Sequence, residues 1–309
     1  MSETAARSLS ARTRYCAVLG HPIRHSASPP MQNAGIAALG LDWRYLAFEV
    51  RPEELGTALA GARAMRFVGL NLTVPHKLLA FSLVDARDAS AATWGAVNTV
   101  RFEARDASGE WQPLRAFEVL PEDAPVRAHG FNTDADAITL ALREDLRFDP
   151  AGRRVLLLGA GGAGRTAALK LASDGVAALF LVNRTASKAA AVAAEIQARF
   201  PGVRVEVGYP VGAVDLALNA TSLGLKREDP LPFDSRAFRL DQARAAYDMI
   251  YRPVETPFLR AARAAGCRAA NGLGMLLYQG ARALEIWSGQ PAPVTVMRVA
   301  LERSVYGSR

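Results

Sequence analysis

The segment Gly159-Ala160-Gly161-Gly162-Ala163-Gly164 restricts the fold of this chain more than any other feature. It follows the apolar run 154–158, which has the pattern of a buried strand, and it precedes a helical pattern. In such a strand-turn-helix unit, Gly159 permits the tight turn, Gly161 lets the backbone approach a pyrophosphate and Gly164 lets the helix pack closely. Because a helix N-terminus attracts phosphates, the segment predicts a dinucleotide site in a Rossmann-type domain. The alternative is a glycine-rich turn without a ligand.

The residues after the second strand of this domain indicate which dinucleotide is bound. An NAD site usually carries an acid there for the ribose 2′-hydroxyl, but this chain has Asn183-Arg184-Thr185. The Arg184 guanidinium, the Thr185 hydroxyl and the ammonium of Lys188 suit a 2′-phosphate, so we expect NADP. In the alternative interpretation, Asn183 and Thr185 only cap the next helix and Arg184 is solvated.

Strand and helix patterns alternate along both halves of the chain. Apolar strand patterns at 15–19, 43–50 and 67–72 are each followed by a helical pattern, which predicts a mostly parallel sheet covered by helices. Residues 102–127 break this alternation, and we expect a hairpin-like surface excursion that covers a cleft, contacts another subunit or has no role. We therefore predict an α/β protein with a substrate-binding and catalytic domain (1–134), a Rossmann domain (135–271) and C-terminal helices that return to the first domain (272–309).

Composition excludes several classes of protein. The 309 residues are 50% hydrophobic, and no apolar run is long enough to span a bilayer or resembles a signal peptide. We therefore expect a cytoplasmic protein. The net charge of +7 comes from dispersed basic residues, so we expect small-molecule ligands and no nucleic acid or membrane partner. Cys16 and Cys267 are too few for a disulfide framework, and since neither stands in a CxxC or Cys/His spacing, we expect no metal.

The first half of the chain contains polar residues suited to ketone reduction. Hydride transfer to a ketone needs a proton source, groups that hold substrate hydroxyls and an anchor for any carboxylate. Asn71, Thr73 and Lys77 lie at the end of a predicted strand, and Asp134 lies just before a predicted helix. Each residue also has a structural explanation: a loop hydrogen bond for Asn71 or Thr73, a surface position for Lys77 and a helix N-cap for Asp134.

Several ordered motifs resemble those of the shikimate dehydrogenase family, which includes quinate dehydrogenases. The resemblance covers about residues 15–299 and rests on these segments: Gly20-His21-Pro22-Ile23-Arg24-His25-Ser26-Ala27-Ser28-Pro29, Asn71 to Lys77, Gly95 to Thr99, Asn132 to Asp134, Asn183 to Thr185, Asn219 to Gly224, Tyr247 to Tyr251 and Gly272 to Gln279. It implies NADPH-dependent, reversible reduction of 3-dehydroshikimate to shikimate in the biosynthesis of chorismate and aromatic amino acids.

The resemblance also implies residue roles. Lys77 and Asp134 would be the catalytic pair, while His25 and His76 are structural. The substrate carboxylate would be bound by Ser26, Ser28 and Tyr251, and the ring hydroxyls by Asn71, Thr73, Asn98, Asp134 and Gln279. NADP would be bound by Gly159, Ala160, Gly161, Gly162, Ala163, Gly164, Asn183, Arg184, Thr185, Lys188, Thr221, Ser222, Met249, Gly272 and Met275.

The chain departs from the family pattern at two places. Ala135-Asp136-Ala137 replaces a glycine-containing continuation, and Asn271 stands where an acid is common. Asp136 would add negative charge near the substrate. The alternative functions are a quinate/shikimate or aminoshikimate dehydrogenase and a non-catalytic relative that senses the metabolite. We expect a monomer or a homodimer.

Overall fold

The computed structural model describes residues 9–121 and 123–307, which form two compact units. One unit comprises the described residues up to Thr133 and those from Gln279 onward, and the other comprises Asp134–Tyr278. The domain boundaries predicted from the sequence lie between residues 134 and 135 and between residues 271 and 272. No helix in the described ranges is long and apolar enough to cross a membrane.

The first unit contains a seven-stranded sheet in the order β2-β1-β3-β5-β7-β4, with β6 paired to β5. The β1–β2, β1–β3 and β4–β7 pairs are parallel, whereas β5 is antiparallel to β3, β6 and β7. Only β5 runs against the others, so the predicted mostly parallel sheet is confirmed. The strands are β1 (Arg14–Gly20), β2 (Trp43–Glu49), β3 (Gly69–Leu72), β4 (Ala86–Arg87), β5 (Thr99–Arg105), β6 (Trp111–Pro113) and β7 (Val126–Phe131).

Helices accompany this sheet because the connections between its parallel strands are crossovers. An apolar core forms where Leu55 and Leu59 pack with strand residues such as Leu70 and Phe102. The helices are α1 (Ser28–Ala38), α2 (Leu55–Ala64), α3 (His76–Leu83), α4 (Ala89–Trp94) and, near the end of the chain, α9 (Leu273–Ser288) and α10 (Val294–Tyr306). The Trp287 indole of α9 donates a hydrogen bond to the Val100 carbonyl oxygen at 2.9 Å.

The segment 102–127 is hairpin-like, as predicted, since β6 pairs antiparallel with β5, but its surface position was wrongly predicted for residues 102–104 and Leu114. Phe102 and Ala104 are fully buried in β5, and Leu114 is also buried. The segment forms the end of β5, all of β6 and a 3-10 turn at Leu114–Ala116, and it then enters β7. Arg14 of β1 donates hydrogen bonds to the carbonyl oxygens of Leu114 and Phe117. The start of the segment and Leu114 are therefore part of the sheet and its core, whereas its other described residues are exposed or half-buried.

The second unit is a six-stranded sheet in the order β10-β9-β8-β11-β12-β13, and all its neighbouring strands are parallel. This is the strand order of a Rossmann domain, which confirms the prediction. Ligands bind such sheets where the strand order reverses, beyond the carboxyl ends of β8 and β11. The elements are α5 (Asp134–Leu146), β8 (Arg154–Leu158), α6 (Gly162–Ser173), β9 (Ala178–Val182), α7 (Ala186–Arg199), β10 (Arg204–Val207), β11 (Val214–Asn219), β12 (Ala243–Asp248), α8 (Pro257–Ala264) and β13 (Arg268–Asn271).

Candidate active site

The glycine turn lies between β8 and α6, where backbone geometry requires glycine at two positions. Gly159 has φ +104°, a conformation that L side chains rarely adopt. A Cβ on Gly164 would lie 2.1 Å from the Gly159 carbonyl oxygen, so the first turn of α6 touches the end of β8. Both observations agree with the roles that the sequence predicts for these glycines.

The middle of the turn is open. A Cβ on Gly161 or Gly162 would meet no heavy atom within 4 Å, and residues 161–163 are exposed. The turn ends at Gly161, in extended conformation, and α6 begins at Gly162 with its first amides available to an anion. A pyrophosphate therefore fits the turn without a steric change in the protein.

The loop after β9 contacts the glycine turn through Asn183. Its Oδ1 accepts a hydrogen bond from the Ala160 amide at 3.0 Å, and its Nδ2 donates to the Thr185 carbonyl at 2.9 Å. Thr185 occupies the N-cap of α7 without a side-chain capping bond, so capping does not explain this segment. Arg184 and Lys188 are exposed, and neither forms an ion pair within residues 9–121 and 123–307. Their charges remain available to a 2′-phosphate.

A second loop of this unit follows β11. The Asn219 side-chain oxygen accepts hydrogen bonds from both the amide and the hydroxyl of Thr221, at 3.0 and 2.8 Å. Thr221 is half-buried and Ser222 is exposed. The Ala220 carbonyl oxygen lies close to the glycine turn, 2.8 Å from the position of a Cβ on Gly159. The predicted cofactor residues Thr221 and Ser222 therefore lie beside the turn.

Three further predicted cofactor residues belong to the same unit. A Cβ on Gly272 would lie 2.1 Å from the Met249 carbonyl oxygen, so the chain after β13 packs directly on the chain after β12. Met249 and Met275 are both half-buried. These residues lie at the carboxyl ends of strands or just beyond them, which is where this fold binds ligands.

The first unit contains a buried network of polar side chains at the carboxyl end of β3. The Tyr45 hydroxyl donates to Asn71 Oδ1 at 2.8 Å, and Asn71 Nδ2 donates to Thr99 Oγ1 at 3.1 Å. Asn98 Nδ2 donates to Thr133 Oγ1 at 2.9 Å, and Asn98 Oδ1 accepts from the Thr133 amide at 2.8 Å. Asn71 and Asn98, both predicted from the sequence, are thus brought together.

Lys77 lies near this network in the first turn of α3. The Lys77 carbonyl oxygen accepts a hydrogen bond from the Val97 amide at 2.9 Å. The next residue, Asn98, is bound to the network, because its carbonyl oxygen accepts a hydrogen bond from Asn71 Nδ2 at 3.3 Å. The backbone of Lys77 is therefore joined to the segment that holds Asn98. The side chain of Lys77 is half-buried.

The two histidines considered as alternatives to Lys77 differ in burial. His76 is fully buried, and its Nε2 lies 2.9 Å from the Val50 carbonyl oxygen. Burial lowers the pKa of this imidazole, which disfavours a positive charge. His25 is exposed in the loop after β1. Packing against Val50 agrees with the structural role expected for His76.

The loop between β1 and α1 carries the predicted carboxylate ligands. Ser26 is half-buried, and its hydroxyl oxygen accepts a hydrogen bond from the Ser28 amide at 3.3 Å. Ser28 is buried at the start of α1. Thr73 is half-buried after β3, where its amide donates to the Leu19 carbonyl at 3.0 Å. These loops follow parallel strands and therefore belong to the same sheet edge as Asn71.

Asp134 is buried and begins α5 in the second unit, whereas Lys77 belongs to the first unit. The pairing of Lys77 with Asp134 stays a prediction. Asp136 does not carry an unopposed charge, since its carboxylate lies 3.0 Å from the Lys170 ammonium. Lys170 also pairs with Asp174 at 2.7 Å. Lys170 therefore opposes the charge of Asp136 only in part, because its single positive charge is shared between two carboxylates.

Tyr251 and Gln279 are both half-buried. Tyr251 follows β12, and burial raises the pKa of its phenol, so the hydroxyl is protonated and able to donate a hydrogen bond. Gln279 lies in the first half of α9. The substrate contacts of both residues stay predictions.

Sequence reasoning missed several polar residues in these networks. Tyr45, Thr99 and Thr133 complete the first network, and buried Asp248 accepts a hydrogen bond from Asn219 at 3.0 Å in the second unit. Thr99 and Thr133 belong to the family motifs Gly95 to Thr99 and Asn132 to Asp134, and this membership could have identified them. No sequence feature identified Tyr45, because an aromatic residue in a strand is usually explained by packing.

Comparisons with known proteins agree with this arrangement. Three family profiles match the chain: "Shikimate dehydrogenase substrate binding domain" at residues 18–100, "Shikimate / quinate 5-dehydrogenase" at residues 142–220 and "Shikimate 5'-dehydrogenase C-terminal domain" at residues 272–302. The matched regions include Asn71, Lys77 and the glycine turn.

Individual relatives match over most of their length. A shikimate dehydrogenase (NADP+) from Moorella thermoacetica is 43% identical over 96% of each chain. A Thermus thermophilus shikimate 5-dehydrogenase, solved with NADP(H) and shikimate, is 34% identical with a TM-score of 0.76, covering 94% of this chain and 99% of that one. A 5-ketofructose reductase of Gluconobacter is 32% identical with a TM-score of 0.78, and the match covers 95% of this chain and 99% of that chain. The fold therefore occurs with more than one substrate.

Proposed function

We propose that this chain, which belongs to the shikimate dehydrogenase family, catalyses the NADP-dependent, reversible reduction of 3-dehydroshikimate to shikimate. The observation that carries this proposal is the gathering of Asn71, Asn98 and the Lys77 backbone at one sheet edge, in a chain that also has an open glycine turn. Amides suit the hydroxyls of a polyhydroxylated ring, and a lysine suits a ring ketone that accepts a hydride.

NADPH supplies the hydride when it is bound. The pyrophosphate is held by the amides at the start of α6, beside Gly161 and Gly162, and the 2′-phosphate is held by Arg184 with help from Thr185 and Lys188. Because Arg184 and Lys188 have no acidic partner among the described residues, binding a phosphate breaks no existing ion pair.

The chain itself provides the proton and holds the substrate. As the carbonyl carbon gains a hydride, its oxygen gains negative charge, and the Lys77 ammonium stabilises that charge and donates a proton to the oxygen. Asp134 accepts a hydrogen bond from a ring hydroxyl and keeps the ring oriented. In the oxidative direction, Lys77 takes the proton from the hydroxyl as the hydride leaves.

The substrate is bound through two kinds of contact. Ser26, Ser28 and Tyr251 donate hydroxyl hydrogen bonds to the carboxylate, while Asn71, Thr73, Asn98 and Gln279 bind ring hydroxyls. The network of Asn71 with Tyr45 and Thr99 holds that amide in one rotamer, so substrate binding does not have to order it.

A four-way oxidation assay tests this function. Shikimate and quinate are each offered with NADP+ and with NAD+, and NAD(P)H absorbance is followed. We expect the highest kcat/KM for shikimate with NADP+. Turnover of quinate but not shikimate would replace the proposed substrate, and equal use of NAD+ would remove the cofactor assignment. A wild-type enzyme without turnover that still binds shikimate would indicate the metabolite-sensing alternative.

Two further properties stay predictions. A cytoplasmic location is expected from the sequence, and analytical ultracentrifugation would decide between the monomer and the homodimer, both of which we expect as alternatives.

A further inference from the structure

A single carboxylate in the second unit connects two loops that carry predicted ligand-binding residues. Asp248, the last residue of β12, is fully buried. Its Oδ1 accepts hydrogen bonds from Asn219 Nδ2 and the Ile250 amide, both at 3.0 Å, and its Oδ2 accepts one from the Thr256 hydroxyl at 2.6 Å. A buried carboxylate is costly unless it is bonded in this way.

On one side, Asp248 acts through Asn219 on the loop after β11. Asn219 Nδ2 also donates to the Leu223 carbonyl at 3.1 Å, while Asn219 Oδ1 accepts the amide and hydroxyl of Thr221. Both polar atoms of the Asn219 amide are therefore occupied, and they determine the path of residues 219–223. Rotation of this amide would release Thr221.

On the other side, Asp248 holds the segment that contains Tyr251. The Ile250 amide fixes the start of this segment and Thr256 fixes its end. Thr256 is fully buried and caps α8 by accepting the Leu259 amide at 3.2 Å. Tyr251 thus lies on a loop that is anchored at both ends by the same carboxylate.

We propose that Asp248 is a positioning residue. It holds the loop after β11, residues 219–223, through Asn219, and it holds the loop that contains Tyr251 through Thr256. This inference rests on the proposed function, because that function assigns NADP to the first loop and the substrate carboxylate to the second. Oδ1 bonds Asn219 and the start of the Tyr251 segment, and Oδ2 bonds Thr256 at the end of that segment. Cofactor affinity and substrate affinity depend on the same group, although Asp248 touches neither ligand.

Thr256→Val tests the substrate side, with Thr256→Ser as the matched control. Valine keeps the shape of threonine but removes the donor to Oδ2, whereas serine keeps that donor. We expect Thr256→Val to raise the KM for shikimate about tenfold and the Kd for NADPH by less than about twofold. Thr256→Ser should restore the wild-type KM.

Asp248→Ala tests both sides at once. We expect it to weaken NADPH binding about tenfold, measured by nucleotide fluorescence, and to raise the KM for shikimate as well. Because fluorescence measures binding without turnover, this comparison stands even if shikimate is not the substrate. A wild-type enzyme inactive with shikimate would overturn the proposed function alone.

Thermal melting separates positioning from simple stabilisation. If Thr256→Val lowers the melting temperature but keeps wild-type kinetic constants, the carboxylate only stabilises the fold and the proposal is wrong. Unchanged NADPH affinity in a folded Asp248→Ala variant would equally overturn it. Should Asp248→Ala fail to fold, the valine and serine variants of Thr256 still decide the question.

Discussion

The Gly159 carbonyl oxygen lies 2.1 Å from the place where an alanine at residue 164 would put its Cβ. Because the contact is with backbone, Gly164→Ala must displace either the end of β8 or the start of α6. We expect it to weaken NADPH binding at least about tenfold and to lower the free energy of unfolding by about 1–3 kcal/mol.

Two other glycines serve as controls for that variant. Gly161→Ala meets no protein atom within 4 Å, so it should fold normally and lose only cofactor affinity. Gly56→Ala, in α2, also meets no atom and should stabilise the chain by about 0.5–1 kcal/mol without changing NADPH binding. Normal NADPH affinity in both Gly161→Ala and Gly164→Ala would exclude the turn as the pyrophosphate site.

Lys77→Ala should reduce kcat at least about 100-fold and leave the KM for shikimate nearly unchanged, because it removes proton transfer while the hydroxyl and carboxylate ligands stay. His25→Ala, an exposed residue in the substrate unit, should keep the wild-type kcat. Steady-state kinetics in both directions measure these values. Wild-type turnover without the ammonium would remove Lys77 from its proposed role.

Arg184→Ala should raise the KM for NADPH about 10- to 100-fold, because a charge-assisted bond to the 2′-phosphate is lost. The KM for NADH, which lacks that phosphate, should change little. Exposed Arg236 in the same unit provides a control, since Arg236→Ala removes a positive charge from a residue to which we assign no cofactor contact. Equal loss of affinity for both nucleotides would contradict the NADP assignment.

Glu103 should stabilise the fold in a pH-dependent way. Burial opposes its charge, but hydrogen bonds from His129, Arg101 and Arg127 outweigh burial and lower the pKa of Glu103 from 4.5 to about 2. A carboxyl with a lowered native pKa contributes stability above its unfolded pKa and loses it as pH falls through the native value. The relevant window is therefore between about pH 4.5 and pH 2.

Urea unfolding of Glu103→Gln checks this dependence. We expect a loss of about 3 kcal/mol at pH 7, because the variant leaves the half-buried Arg101 and Arg127 without their carboxylate, and a smaller difference from wild type at pH 3. Glu206→Gln, which breaks an exposed pair with Arg204, should cost less than about 1 kcal/mol at either pH. A difference for Glu103→Gln that is constant with pH would show that the carboxylate charge is not stabilising.

Local patterns predicted the second unit well. The strand before Gly159 and the glycine spacing are contiguous in sequence, so every residue that defines the turn was visible together. The absence of an acid after β9 was equally local, and it separated the two possible cofactors without any knowledge of the tertiary structure.

The burial of Phe102, Glu103 and Ala104 was not predicted because their partners are distant in sequence. Glu103 and Arg101 alternate with buried Phe102 and Ala104, and such charges indicate exposure when they are read alone. Glu103 is nevertheless 1% exposed, because β7 brings Arg127 and His129 beside it. The burial of this carboxylate depends on strand pairing, which periodicity does not report.

The indole of Trp287 also has a consequence for synthesis on the ribosome. It covers Gly69 and bonds to the Val100 carbonyl, although it follows both by well over a hundred positions. When only the first half of the chain has left the ribosome, the backbone at Gly69 is not yet covered by Trp287. Residues 134–278 are contiguous in sequence, so the second unit can fold as soon as they are translated. Emergence of the last helices, and not of the early strands, completes the substrate-binding unit.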